Sequence, residues 1–228
     1  MKQAQDPFAH IAEQLETKSV VKQEAYRNLC LTFKAMETRA TAIVERINNE
    51  IKDKDQDISI SVTKENDREF HIKVAGDLLV FIMHTNIIVL DREHGASKSK
   101  HVEENPMRKY FGQINVYNFM ADSIKFNRLN DPGYLLARVL INCQDHFLVE
   151  GDGQLNFMFE KISSNPISET DIDILIQLII SQAIDSDLTS PPFPKIRTIT
   201  LNQKIHKTEA LGAGTKIGFQ MSYQQKVD

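Results

Sequence analysis

Arg138 makes the heaviest chemical demand of any residue in the sequence. It stands between Leu136 and Leu140 in Tyr134–Cys143, a run that alternates as a β-strand does. A guanidinium keeps its charge at any accessible pH, so among leucines it needs either a carboxylate or an anionic ligand. Asp122, Asp131 and Glu150 are the acids close enough in sequence to pair with it. Glu150 belongs to the following strand, and a two-residue Gln144-Asp145 turn would aim it at the opposite face. A loop one residue longer would set the two side by side. Upstream, Asn118, Asp122, Lys125, Asn127, Arg128, Asn130 and Asp131 gather donors and acceptors into one short stretch. Arg138, Arg128, Asn118, Asp122, Asn127, His146 and Glu150 are therefore the candidate ligand-binding residues, for an anion or another polar molecule. Arg138 paired internally is the competing reading.

Other arrangements lack a part that their chemistry requires. Glu69-Phe-His-Ile-Lys73 has the strand and lysine of a metal-dependent nuclease, but His71 stands where the metal-binding carboxylate belongs. Gly212-Ala-Gly-Thr-Lys216 lacks the spacing of a phosphate loop and the strand and helix that flank one. His94 and His101 lie in a stretch, Asp91 to Lys109, that is polar, mixed in charge and aperiodic. It reads as a long mobile loop, in which histidines are solvated rather than metal-binding. Cys143 and His146 flank a turn and make no dyad. Cys30 and Cys143 read as reduced, buried thiols. No catalytic residue, metal or cofactor is assigned. His71 and Lys73 read as rim residues.

The elements that must position these side chains follow from periodicity. From Asp6 to Asp53 apolar residues recur every three or four positions (Val21, Ala25, Leu29, Met36, Ala40, Ile43, Ile47 and Ile51), which predicts a long helix with a break or fresh N-cap at Thr17-Lys-Ser19. A meander follows, with two-residue turns at Asn66-Asp67, Gly76-Asp77 and Thr85-Asn86. Counting register puts Phe70, Ile72, Val74, Leu79, Phe81, Met83, Ile88 and Leu90 on one face. The other takes Ile58, Ile60, Val62, Val80, Ile82, Ile87 and Val89, with His71 and Lys73 among them. Residues 76–91 then form two central strands apolar on both sides, so both faces need a cover. The first helix supplies one. The very apolar Ile172–Ile184, which a capping-box pattern, Ser168-Glu-Thr-Asp171, opens as a helix, either covers the second or fills the space between two sheets. A second meander runs through Tyr110–Phe119, Tyr134–Cys143, His146–Glu150 and Leu155–Glu160. Lys195–Leu201 reads as an edge strand, and Lys216–Tyr223 as a last strand, a strand added to a partner's sheet, or a loose tail.

The fold class is thus α+β: antiparallel sheet meanders with a long N-terminal helix and a buried C-terminal helix. Residues 1–18 form a helical arm, 19–201 one domain, and 202–228 a strand or flexible tail. A net charge of −4 and a pI near 6.0 disfavour nucleic acid as partner. The N-terminus lacks a signal peptide's apolar region, and no window has the roughly 18 apolar residues of a membrane span. A cytoplasmic protein is expected. Three blocks, Gly76–Asn86, Val116–Arg128 and Arg138–Gly151, resemble a conserved bacterial family of uncharacterised proteins. The resemblance implies a bacterial, cytoplasmic setting and carries over no functional residue. The expected function is a non-catalytic ligand- or partner-binding module of the sensor or scaffold kind, a homodimer through the first helix. The alternative is an enzyme acting on a phosphorylated or otherwise anionic small molecule through Arg128, Arg138, Asp122 and His146.

Overall fold

The computed structural model describes residues 6–51, 58–129, 131–186, 188–189, 197, 201 and 220–221. Helix α1 (Pro7–Gln14) begins at Asp6, whose carboxylate accepts the Phe8 amide at 3.1 Å, with Pro7 in the first turn where no donor is missed. It runs through a π-helical turn, Leu15–Ser19, into α2 (Val20–Ile51). The expected break is therefore a change of winding. Thr17 Oγ1 donates back to the Glu13 carbonyl at 2.6 Å instead of capping a new helix. Along α2, Ala25, Leu29, Phe33, Met36, Ala40 and Val44 are buried in the stripe that the sequence spacing predicts.

Seven strands make one antiparallel sheet: β1 (Ile60–Asn66), β2 (Glu69–Val74), β3 (Asp77–Met83), β4 (Ile88–Val89), β5 (Tyr110–Met120), β6 (Tyr134–Asn142) and β7 (Phe147–Gly151). The Thr85-Asn86 turn does not reverse the chain. β3 and β4 both pair with β5, and between them the His84 amide donates to the Gln113 carbonyl at 2.9 Å. Residues 76–91 are thus one interrupted central strand rather than two neighbours. Register in β1 also departs from the count. Its turn is Asp67-Arg68, and Glu65 is an extra, bulged residue, so Ile60 and Val62 share the face of Val74 and Ile72 while Ser61 and Thr63 take the other. The β2–β3 turn is Ala75-Gly76, with Ala75 at φ 49°.

The inner face carries the main core. Phe70, Ile72, Leu79, Phe81, Ile114, Val116, Val139, Ile141 and Val149 pack against α2 and against α6 (Glu169–Ile184). Phe70 stacks on Phe81 with ring centres 4.4 Å apart. α6 opens with the expected capping box, Ser168 with Asp171. Contrary to expectation, it does not cover the second face. It lies beside α2, where Arg39 of α2 bonds both Asp173 and Glu169 of α6. Its apolar breadth is used against a helix and a sheet at once.

The outer face is covered in part by residues 91–109, which the sequence suggests as a mobile loop. They form a 3₁₀ turn (Gly95–Lys98), α3 (Lys100–Glu104) and a second 3₁₀ turn (Pro106–Lys109). Each has its own cap: His94 Nδ1, Ser99 Oγ and Asn105 Oδ1 accept the amides of Ala96, Val102 and Met107. Leu90 and Ala96 close over Phe111, Leu140 and Leu148 as a second, smaller core. Ile88 packs against this cluster, so Ile88 and Leu90 leave the inner face on which the count placed them. Residues 121–125 form α4 (Ala121–Lys125) at the far end of β5. After β7 the expected strand is a helix, α5 (Gln154–Phe159), entered through Gly153 at φ 58° and burying Leu155 and Phe159 four residues apart. β8 (Leu188–Thr189) pairs with β9 (Gln220–Met221). Apart from Arg197, Leu201 and β9, the final strands expected and the Gly212–Lys216 stretch lie outside the described residues. Among those described, no helix is long and apolar enough to cross a membrane.

Candidate functional site

The outer face is where buried polar side chains concentrate, and Arg138 is central to it. The β6–β7 loop is three residues, Cys143-Gln144-Asp145, with Asp145 at φ 60°. That extra residue aligns Arg138 with Glu150, and Arg138 Nε bonds the Glu150 carboxylate directly. The other carboxylate oxygen meets His94 Nε2 at 2.7 Å. Burial opposes ionisation of Glu150, but the hydrogen bonds and charges of Arg138 and His94 outweigh it and hold the carboxyl below its ordinary value. Arg138 is internally paired, and the pair fastens the 91–109 cover to the sheet.

Two further networks line this face. Asn115 accepts from Gln113 at 2.8 Å and turns its amide nitrogen to Tyr117 Oη at 3.1 Å and His84 Nε2 at 3.2 Å. Asn142, fully buried, accepts the amides of Gln144 and His146 on Oδ1, so its Nδ2 must donate to His101 Nε2, 3.0 Å away. The His101 ring packs against that of His146, tilted by 38° with ring centres 4.4 Å apart, and His146 Nδ1 donates to the Ser163 carbonyl at 2.7 Å. Burial, then His146 and Arg108, hold the His101 imidazole below its ordinary value, against a weaker opposite pull from Glu104. Burial, then Glu24, push the Cys143 thiol upward, so it offers no ready thiolate beside His146.

An open cleft of about 610 Å³ lies at the other end of the face. Its walls are the outward residues of β1 and β2, among them Ser61, Thr63, His71 and Lys73, and the α4 segment with Asp122, Lys125 and Arg128. His71 is buried, with Nε2 2.8 Å from Glu69 and Nδ1 3.6 Å from Glu65. Arg128 is buried between Asp122 (3.6 Å) and Asp131 (3.5 Å), and its guanidinium lies 5.6 Å from the Phe126 ring centre. Lys73 is exposed and makes no ion pair among the described residues. Lys125 sits 5.1 Å over the Phe126 ring.

The candidates named from sequence therefore divide. Arg128 and Asp122 line the cleft. Asn118 lies on the inner face at its margin, fully buried, donating to Asp77 at 3.0 Å. Its Oδ1 has no partner among the described residues. Asn127 is an exposed turn residue at φ 49°. Arg138 and Glu150 neutralise one another in mid-sheet. His146 sits at the β6–β7 loop, near the Phe111 end of β5, whereas α4 follows Met120. From Phe111 to Phe119 is eight strand steps, roughly 26 Å. Those groups cannot act on one small molecule. Ser61 and Thr63, which the register count sets on the Phe70 face, reach the cleft because a single bulge reverses them. The described residues hold no group of three or more His, Cys, Asp or Glu able to bind a metal ion. What emerges is an α+β domain with one apolar sheet face and one on which polar networks flank a smaller apolar core. No family model, curated protein or solved structure matches this chain.

Proposed function

We propose that this chain is a non-catalytic binding module, cytoplasmic and of the bacterial uncharacterised type its three blocks resemble. Its ligand is a small polar molecule with an anionic group, taken into the cleft between β1, β2 and α4. The observation that carries this reading is Lys73, an ammonium with no carboxylate partner among the described residues, on the wall of a cleft of ligand size. Arg128 shapes the same wall but is held by Asp122 and Asp131, so it orients rather than neutralises. The enzyme alternative loses support because Arg138, His146 and the Arg128–Asp122 pair stand apart.

The proposed module is a homodimer through its first helix. Every described residue of α1 is exposed, and Phe8, Ile11 and Leu15 make an uncovered apolar stripe. Light scattering of the full chain and of a chain lacking residues 1–18 tests this: a dimer and a monomer are expected, and two monomers refute it. The ligand reading is tested by thermal-shift screening with sugar phosphates, nucleotides and dicarboxylates. A ligand at 100 times its Kd adds about 2.7 kcal/mol to stability. The Lys73→Gln, Lys125→Gln double variant should lose the shift; a shift that survives it places the ligand elsewhere.

A further inference from the structure

A second cavity, about 510 Å³, lies where the start of α2 meets the outer-face cover. Its charged lining residues are all cationic: Lys18 from the π-helical turn, Lys22 four residues on, Arg92 after β4, and Lys109 just before β5. No Asp or Glu among the described residues lines it. None of the four cations makes an ion pair among the described residues, in a chain whose net charge is −4. The two acids flanking Arg92 are engaged elsewhere: Glu93 with Lys98 at 2.5 Å, and Asp91 with the Glu93 amide at 2.8 Å. The floor is Tyr110, only 5% exposed, with Lys22 Nζ 5.4 Å and Lys109 Nζ 5.6 Å from its ring centre. Both lysines are therefore held over one ring, while the Tyr110 hydroxyl has no hydrogen-bond partner among the described residues. Ser97 adds a hydroxyl at the wall.

Four like charges converging without counterions repel one another, and a polyvalent anion relieves that repulsion. We propose that this cavity binds a diphosphate group, free or carried by a nucleotide. Two adjoining phosphoryl groups supply the charge to span Lys18 and Lys22 on the helix and Arg92 and Lys109 on the cover. The Tyr110 hydroxyl donates to the same oxygens, and the Ser97 hydroxyl, 3.5 Å from the Leu90 carbonyl in the free chain, turns to join it. Bound there, the anion ties the helical arm to the outer face. The site is separate from the Lys73 cleft and does not depend on it.

The test is calorimetric titration of the full chain with pyrophosphate, ADP and orthophosphate at constant ionic strength, with melting temperatures measured alongside. Pyrophosphate should bind and raise the melting temperature, and orthophosphate should bind more weakly. ADP binding tighter than pyrophosphate marks a nucleotide site, and equal binding marks a site for the bare anion. The Lys22→Gln, Lys109→Gln variant should lose at least about tenfold in affinity, the equivalent of one or two charge-assisted hydrogen bonds. Lys73→Gln, Lys125→Gln should bind pyrophosphate as the parent does, which separates this site from the first cleft. Absence of pyrophosphate binding, or binding that survives the Lys22→Gln, Lys109→Gln variant, would overturn the proposal.

Discussion

The two faces of this sheet are built from the same strands and solve different problems. On the inner face, Phe70, Phe81, Ile114 and Ile141 are all at most 1% exposed and meet only apolar partners from α2 and α6. On the outer face Asn115, Arg138 and Asn142 sit in hydrogen-bonded networks that reach residues 84–109, while His71 bonds Glu69 on its own strand. Non-directional burial tolerates many side chains of the right size, whereas each polar contact needs a partner at a defined place. The inner face therefore supplies stability, and the outer face sets the position of its cover and keeps its two clefts open.

Single substitutions should separate these roles. Phe81→Ala empties a fully buried site beside Phe70, and a loss of about 3–5 kcal/mol is expected in denaturant unfolding. Gly112→Ala should cost about 1–3 kcal/mol, because its Cβ would come 2.8 Å from Leu29 Cβ and push α2 off the sheet. On the outer face, Arg138→Met leaves the half-buried Glu150 carboxylate with His94 alone. About 1–2 kcal/mol is expected, less than for a fully buried pair because both groups are partly solvated. Arg138→Met combined with Glu150→Leu should recover most of that. An Arg138→Met cost equal to that of Phe81→Ala would erase the distinction between the faces.

Acid should act on the outer face first. His101 accepts from Asn142 on Nε2 and packs against the His146 ring, with Arg108 close by, so protonation breaks a bond and adds repulsion. Its ionisation is depressed in the docked cover, while in the undocked cover it protonates near pH 6.5. Docking is thus unaffected above that pH and weakens as pH falls below it. Glu150 follows the same sign at lower pH: its contribution is present above about pH 4.3 and lost below, through its depressed value. Hydrogen exchange at pH 5.0 and 7.5, corrected for intrinsic rates, should show the Val102 amide losing protection while that of Phe81 is unchanged. His101→Gln should remove the difference.

Legibility followed the same division. The α2 stripe, the capping box of α6 and the inner residues of β2 and β3 could be read directly, since 3.6- and 2-residue periods need only local sequence. The outer face depended on single residues in turns. Glu65 as a bulge reversed β1, one added residue between β6 and β7 brought Arg138 to Glu150, and a bend at Thr85 and Asn86 looked like a hairpin. Local hydrogen bonds to His94, Ser99 and Asn105 ordered a segment without hydrophobic period. The cationic cavity joins residues 18 and 22 to 92 and 109, a juxtaposition that only the fold creates.

The finest test uses two adjacent residues of β2. Ile72 points inward and is fully buried; Lys73 points outward onto the first cleft and is exposed. Ile72→Ala should cost about 2–5 kcal/mol. Lys73→Ala should stay within about 0.5 kcal/mol of the parent, as surface substitutions without a partner do. The cleft then gives the second variant its own readout: a compound whose thermal shift depends on Lys73 must lose it with no change in the unliganded melting point. A Lys73→Ala variant that unfolds more readily would mean the ammonium already has a structural partner and is not held open for a ligand.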